Sequence, residues 1–203
     1  MVRDKAETKA KILAAVGKLL AESGFQQLGV NAIAREARVD KVLIYRYFGN
    51  LPTLLQAFGQ EGDYWITVEQ LVGDAASIEA EGLDEWMHLL LVRFLRDLQQ
   101  RSITQEILRW ELLEGNELTQ ELAQVRDRTA IQSLQFLNQK CDFPPNQDIP
   151  AISAVLIAGL VYLVLRAKIH PTFLGIDFSS PEGWQRIEAA LAALVQASVQ
   201  SVE

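Results

Sequence analysis

Residues 30–55 constrain the fold of this chain more than any other part of it. In their first half, Ile33, Ala34 and Ala37 recur at the spacing of one helical face, which predicts a short helix over residues 31–37. The pattern then breaks and a second helical pattern begins almost at once. The sequence therefore predicts two short helices joined by a tight turn.

Asp40 is the predicted start of the second helix, because its carboxylate can accept a backbone N–H that has no partner within the helix. Val39 closes the turn before it, and Leu43, Ile44 and Phe48 are spaced to pack inward. The outward face then carries Lys41, Val42, Tyr45 and Arg46. This arrangement is typical of a helix-turn-helix, in which the second helix enters the major groove of DNA.

The order of residues here resembles the TetR family of transcriptional regulators over about residues 8–55. The pattern is GF-x(4)-V-x-x-I-A-x-x-A-x-V-x(4)-IYRYFGN, formed by Gly24-Phe25, Val30, Ile33-Ala34, Ala37, Val39 and residues 44–50. The resemblance implies a sequence-specific DNA-binding regulator, typically a repressor that a small-molecule effector releases from its operator. It also implies a homodimer, and a two-fold axis suits a pseudo-palindromic operator.

Candidate DNA contacts follow from the chemistry of the second helix. The amine of Lys41 can donate to guanine O6 or N7, and Val42 can pack on a thymine methyl group. Arg46 can read a base or hold a phosphate, while Tyr45 and Tyr47 match positions that contact phosphate in the family. The full predicted set is Lys9, Asn31, Lys41, Val42, Tyr45, Arg46 and Tyr47. The alternatives are solvated charges at the cations and a packing aromatic at Tyr47.

Three residues depart from the family pattern. Arg38 stands where the family usually has a glycine in the turn, and Leu43 stands where it often has threonine. Leu51 occupies a position that usually carries a phosphate-contacting lysine. We expect these departures to affect the detail of DNA contacts more than the fold.

Charge is unevenly distributed along the chain. Residues 1–50 hold nine Lys/Arg and five Asp/Glu, a balance of +4, whereas residues 51–203 hold 10 and 21, a balance of −11. The whole chain therefore carries −7. Because phosphates attract the basic part and repel the acidic part, this division favours docking on DNA in one orientation.

The rest of the sequence shows helical spacing with breaks rich in glycine and proline. The predicted fold class is all-α, with about nine helices. An N-terminal three-helix helix-turn-helix DNA-binding domain over residues 1–50 is followed by a helical ligand-binding and dimerisation domain over residues 51–203. Two Pro-containing connectors isolate a helix near residues 151–169 and a last helix near residues 181–201, which either Ser180-Pro181 or a Ser179 to Glu182 capping box would open.

The last two predicted helices suggest how the chain pairs. Residues 151–165 are apolar on nearly every side, so a helix there must be covered. The family resemblance implies that these two helices from each of two subunits form a four-helix interface. Its predicted residues are Ala154, Ala158, Val161, Leu165, Ala190, Ala193, Leu194 and Ala197. The alternative is that both helices complete the core of a monomer.

Aromatic residues in the second part of the chain are candidates for an effector pocket, because the family places its pocket among those helices. They are Trp65, Trp86, Met87, Phe94, Trp110, Phe136 and Tyr162, and they favour a lipophilic or aromatic effector. Ordinary core packing is the alternative for each of them.

Catalytic signatures are few, so the chain is not expected to be an enzyme and no cofactor or metal is predicted. Glu85 and His88 form an E-x-x-H pair, which by itself lacks the further ligands of a bundle metal site. Besides a metal-dependent enzyme, a helical small-molecule-binding or interaction protein with a degenerate DNA-binding head stays open. The charged N-terminus and the lone Cys141 favour the cytoplasm, and the apolar run of residues 151–165 is shorter than the ~20 residues of a membrane span.

Overall fold

The computed structural model of the chain describes residues 2–61, 64–73, 82–113, 115 and 117–199. Over these residues the chain forms ten α-helices and one two-stranded antiparallel hairpin, which confirms the predicted all-α fold. The helices are α1 (Val2–Ser23), α2 (Val30–Ala37), α3 (Lys41–Phe48), α4 (Leu51–Glu61), α5 (Val68–Val72), α6 (Leu83–Gln100), α7 (Ser102–Glu111), α8 (Glu117–Lys140), α9 (Ile149–Ala167) and α10 (Pro181–Val199). Strands β1 (Thr172–Phe173) and β2 (Ile176–Asp177) lie between α9 and α10.

The chain divides into two compact units. The first unit consists of Met1–Ile66 and Arg101–Thr129, and the second consists of Thr67–Gln100 and Ala130–Glu203. These are packing units, so the functional division after residue 50 stays a prediction.

In the first unit, α1 packs against α2, α4 and α7, while α3 packs against α2 and α4. Ile12, Val16 and Leu20 recur along α1 at helical spacing and are fully buried. Ile33 of α2 and Ile44 of α3 are buried in the same cluster. Each such side chain stabilises the fold by roughly 1.5–3 kcal/mol relative to exposure, so this core fixes the three N-terminal helices against one another.

Local capping sets the starts of two helices in this unit. The Asp40 carboxylate accepts the Val42 N–H at 2.9 Å and begins α3. The Asn50 side chain accepts the Thr53 N–H at 2.9 Å and begins α4. Asp40 was the predicted cap, and α2 begins at Val30, one residue before the predicted bound.

In the second unit, α6 packs against α9 and α10. Trp86, Met87 and Phe94 of α6 are buried. The Arg96 guanidinium donates to both carboxylate oxygens of Glu188, at 2.8 and 2.7 Å, and so fastens α6 to α10. Paired donors of this kind fix geometry as well as adding energy, because both oxygens must be met at once.

Two features of the second unit differ from the sequence expectations. The connector before α10 contains the hairpin β1–β2, whose two-residue strands are too short to show an alternating pattern. The α9 helix begins at Ile149, because Asp148 caps it by accepting the Ala151 N–H at 3.0 Å. Pro150 is tolerated there, since the first turn of a helix needs no backbone donor.

The start of α10 agrees with one of the two predicted alternatives. The Ser180 hydroxyl accepts the Gly183 N–H at 3.2 Å, and Pro181 is the first helical residue. Ser180-Pro181 therefore opens this helix.

Candidate nucleic-acid interface

The turn between α2 and α3 is closed by a pair of backbone hydrogen bonds. The Val39 N–H donates to the Ala34 carbonyl at 3.0 Å, and the Arg38 N–H donates to the Arg35 carbonyl at 3.3 Å. This pairing is the Schellman motif, in which one residue adopts the left-handed conformation. Arg38 takes that role at φ 55° and ψ 44°. The helix-turn-helix therefore forms without the turn glycine, and the backbone of Arg38 is strained.

The α3 helix is anchored on one side and free on the other. Ile44 and Phe48 are buried in the core of the first unit. Val42 is 62% exposed and Tyr45 is 52% exposed. The exposed set of α3 consists of Lys41, Val42, Tyr45 and Arg46, as the spacing predicted, and Leu43 is half-buried. Two cations, one aliphatic group and one phenol thus share a face that the other described residues of the first unit leave exposed.

Basic side chains of α1 lie over the last turn of α3. The Lys5 Nζ atom is 5.7 Å from the ring centroid of Tyr47, and the Lys9 Nζ atom is 5.1 Å from that of Phe48. Ammonium groups at this range are attracted by the negative face of an aromatic ring. The structure thus brings the predicted contacts Lys9 and Tyr47 to one end of α3. Lys5 joins them, and sequence spacing gave no signal for it, because the contact joins residues far apart in the chain.

The two remaining residues of interest occupy helix starts. Asn31 is exposed in the first turn of α2, where a side-chain amide and free backbone N–H groups can meet a phosphate. Leu51, which replaces the usual lysine, is half-buried and packs against the core of the first unit. The chain therefore provides packing at this position instead of a cation.

An ion pair joins α1 and α2 next to this surface. The Lys18 ammonium lies 2.6 Å from a carboxylate oxygen of Glu36. The hydrogen bond from Lys18 is the main reason why the pKa of Glu36 lies below its ordinary value. The pair is exposed, so it orients the two helices but contributes little to stability.

A buried polar cluster lies elsewhere in the first unit. Arg126 of α8 donates to the Tyr64 hydroxyl and forms an ion pair with Glu111 of α7 at 2.7 Å. Thr104 donates to the Tyr64 carbonyl, and burial raises the pKa of Tyr64 strongly. This cluster holds the segment after α4 against α7 and α8, which pack with the DNA-binding helices as one unit.

The predicted pocket residues are divided between the two units. Trp65 and Trp110 belong to the first unit, where the Trp110 indole N–H donates to the Ala21 carbonyl at 3.4 Å. In the second unit, Trp86 and Phe136 meet edge to face with ring centroids 5.4 Å apart. Met87 and Phe94 are buried there as well. Tyr162 is 55% exposed, so it lies on the outer side of α9, and the pocket itself stays a prediction.

Most of the predicted dimer residues are exposed on α9 and α10. We call the exposed sides of these two helices together the α9/α10 face. Val161 is half-buried, and Leu165 is buried within its own unit and so does not lie on the face. By length and composition alone the α9 helix could cross a membrane, and 28% of its most apolar 18-residue stretch is buried within the chain. The exposed members of the predicted set are Ala154, Ala158, Ala190, Ala193, Leu194 and Ala197.

Glu85 and His88 do not form part of a metal cluster. The Glu85 side chain is exposed, and a ring nitrogen of His88 lies 3.3 Å from the Glu188 carbonyl. Among the residues that the structure describes, there is no group of three or more His, Cys, Asp or Glu side chains placed to hold a metal ion.

Comparisons with known proteins agree with this geometry. Residues 12–58 match the model of the family described as bacterial regulatory proteins, tetR family. No curated protein sequence matches the chain significantly.

Three solved structures illustrate the similarity of the whole chain. A TetR family transcription regulator from Marinobacter aquaeolei VT8 is 18% identical, with a TM-score of 0.66 over 99% of this chain and 100% of that one. NalD of Pseudomonas aeruginosa, described as the secondary repressor of the MexAB-OprM multidrug efflux pump, is 19% identical, with a TM-score of 0.68 over 98% and 100%. FadR of Bacillus subtilis, solved in complex with stearoyl-CoA, is 19% identical, with a TM-score of 0.63 over 95% and 98%. At these identities the similarity shows the fold.

The fold, the exposed face of α3 and the family match define a DNA-binding transcription regulator. Residues 12–58 carry this match to the tetR family, which confirms the resemblance seen in the sequence.

Proposed function

We propose that this protein is a dimeric repressor that binds a pseudo-palindromic operator through α3 and is released from it by a small-molecule effector. The observation that carries the proposal is the free face of α3. Asp40 fixes the start of this helix, while Lys41, Val42, Tyr45 and Arg46 stand on its exposed side. A helix held in this way presents its N-terminal side chains to base edges in the major groove.

Base reading is assigned to the N-terminal end of the helix and phosphate binding to the other end. Lys41 lies in the first turn of α3, and Val42 beside it offers an apolar contact to a thymine methyl group. Tyr47 offers a hydroxyl donor to the phosphate backbone, and Lys5 over its ring and Lys9 over the ring of Phe48 add positive charge there. This division predicts different consequences for substitutions at the two ends.

Dimerisation through the α9/α10 face supports the operator symmetry. Small residues such as Ala158 and Ala193 allow close approach of helices, and Leu194 supplies apolar area. A two-fold dimer suits a pseudo-palindromic operator whose half-sites lie about one turn of DNA apart, roughly 34–36 Å. A regulator acting on DNA in this way works in the cytoplasm.

The effector assigned to this chain is lipophilic or aromatic. Trp86 and Phe136 form an edge-to-face pair in the second unit, with Met87 and Phe94 buried nearby on the same helix as Trp86. Similar folds include a repressor of an efflux pump and a regulator solved with stearoyl-CoA, and both names are compatible with lipophilic ligands. Linkage requires that an effector which weakens operator binding is itself bound less tightly by the protein–DNA complex, by the same factor.

The decisive experiment for DNA binding is a selection of bound duplexes from random DNA, followed by affinity measurements on Lys41→Ala and Tyr47→Phe. Lys41→Ala should cost ~1–3 kcal/mol on the selected site and relax preference at particular base pairs. Tyr47→Phe should weaken selected and unrelated duplexes alike. Lys140→Ala, an exposed lysine of the second unit, is the matched control and should leave both affinities unchanged.

Two outcomes would contradict the proposal. If no duplex is enriched, the protein is not a sequence-specific binder, and the role of a helical small-molecule-binding protein becomes the better one. If Lys41→Ala weakens all duplexes equally, the base-reading role of Lys41 is wrong even though the operator exists.

A further inference from the structure

The hairpin between α9 and α10 has an unusual residue at its tip. Phe173 pairs with Ile176 across a two-residue turn formed by Leu174 and Gly175. Both turn residues have positive φ, 49° and 72° respectively, as in a type I′ turn. Asn-Gly, Asp-Gly or Gly-Gly normally fills such a turn, because glycine, asparagine and aspartate tolerate the left-handed region better than other residues do. Leucine is therefore a poor choice for the turn itself.

Leu174 gains little burial within its own chain in return. Its side chain is 83% exposed, more than any other large hydrophobic residue in the described part of the chain. A strained backbone at a residue so exposed points to a role outside the monomer. The residue offers an apolar side chain to something that the isolated chain does not contain.

The hairpin that carries Leu174 is firmly held in the second unit. Arg166 donates to the carbonyls of His170 and Thr172, at 3.0 and 2.9 Å, and its guanidinium lies 4.5 Å from the ring centroid of Phe173. On the other side, a Cβ atom at Gly183 would lie 1.8 Å from the Asp177 carbonyl oxygen, so β2 and α10 approach as closely as backbone allows. The tip is thus presented on a rigid support, which lowers the entropy lost on docking.

The tip is continuous with the α9/α10 face. Phe173 of the hairpin packs against Tyr162 of α9, with ring centroids 6.3 Å apart, and Tyr162 itself is 55% exposed. Val155 is 73% exposed on the same helix, and Leu194 is 54% exposed on α10. From residue 149 to residue 165 the α9 helix carries no charged side chain. Charge depletion and exposed aromatic or aliphatic groups are typical of the centre of a protein–protein interface.

We propose that Leu174 is a docking residue that inserts into a second copy of this chain and extends the dimer interface of the α9/α10 face. The inference rests on the proposed dimer. The occupant is a second copy because the tip adjoins the surface already assigned to pairing, and because a two-fold axis buries both tips at once. If the tips instead inserted into a membrane or an unrelated protein, they would lie outside the contact between the two copies.

The test is Leu174→Asn, which places the preferred Asn-Gly pair in the turn. Because asparagine tolerates positive φ, the hairpin and the thermal stability of the monomer should be retained or improved. Loss of one buried leucine corresponds to roughly a tenfold change in an equilibrium constant, and a symmetric dimer loses two. The dimer dissociation constant should therefore rise ~100-fold.

Sedimentation velocity over a dilution series measures this constant for the wild type, for Leu174→Asn and for a control. The control is Leu112→Asn, a leucine of the first unit that is 80% exposed with an unstrained backbone. It should leave the constant unchanged. In a Cys141→Ser background, Leu174→Cys should also be alkylated by iodoacetamide more slowly in the dimer than in the dilute monomer.

The outcomes separate this inference from the proposed function. A wild-type dimer that Leu174→Asn leaves equally tight, with equal alkylation rates in monomer and dimer, overturns the role of Leu174 and leaves the dimer intact. A wild type that is monomeric at all concentrations overturns the dimer and this inference together. Binding of wild type but not Leu174→Asn to phosphatidylglycerol vesicles, with unchanged dimerisation, would assign the tip to a membrane surface and overturn the inference.

Discussion

Substitution by glycine should have opposite effects on the free energy of unfolding at Arg38 and at Arg35, two arginines three residues apart. Arg38 adopts φ 55° in the turn after α2, whereas Arg35 lies in the last turn of α2 itself. Both side chains are exposed, so neither loses much packing when replaced by glycine. Arg38→Gly relieves a left-handed conformation that costs roughly 1–2 kcal/mol for a residue with a Cβ atom. Part of this gain is lost again, because glycine gives the unfolded chain more freedom.

The expected net result is a stabilisation of about 0.5–1 kcal/mol for Arg38→Gly and a destabilisation of about 0.5–1 kcal/mol for Arg35→Gly. For a chain of 203 residues, 1 kcal/mol corresponds to about 2–4 °C in Tm. Thermal unfolding followed by circular dichroism, with a urea titration at 25 °C, measures both. The Schellman hydrogen bonds from Arg38 and Val39 need only backbone, so they survive both substitutions. If Arg38→Gly lowers Tm as Arg35→Gly does, the strain assigned to Arg38 is wrong.

Two further predictions concern the cap of α3 and the buried phenol. Asp40→Ala should cost about 1 kcal/mol of unfolding free energy, because the Val42 N–H loses its 2.9 Å acceptor. Asp40→Asn keeps the cap and removes a negative charge from the DNA-facing side, so it should keep wild-type Tm and bind operator at least as tightly; equal Tm for both variants would refute the cap. Burial raises the pKa of Tyr64, so the folded state keeps a proton that the unfolded chain releases above about pH 10, and the unfolding free energy should fall as pH rises beyond that value. Urea titrations between pH 9 and pH 11 should show this fall in wild type and in Tyr45→Phe but a weaker one in Tyr64→Phe, and identical slopes for all three would contradict it.

The helix-turn-helix was predictable because its determinants are local. Asp40 caps a backbone N–H two residues away, and Asn50 caps one three residues away, so short sequence patterns contain the complete interaction. The inward positions Ile44 and Phe48 follow from helical spacing alone. The same logic gave the start of α10 at Ser180-Pro181.

Features that depend on distant residues were not predictable in this way. The hairpin around Leu174 has no Asn-Gly signal, and its strands exist because Arg166 and Gly183 hold them from either side. Lys5 lies beside Tyr47 only because α1 packs along the other DNA-binding helices. From the sequence, Asp148 was assigned to a connector because Pro150 follows it. Proline in the first turn does not terminate a helix, however, and Asp148 is the N-cap of α9.

Trp110 shows how a local prediction and a packing role compete for one side chain. Its aromatic character made it a candidate for the effector pocket, yet in the first unit its indole N–H donates to the Ala21 carbonyl. A Cβ atom at Gly24 would lie 2.9 Å from the Trp110 ring, so the end of α1 rests directly on this side chain. Trp110 therefore supports the helix that carries Lys5 and Lys9 toward α3. Because α1 packs against α7, a change in the fluorescence of Trp110 on adding a ligand would report movement between these two helices.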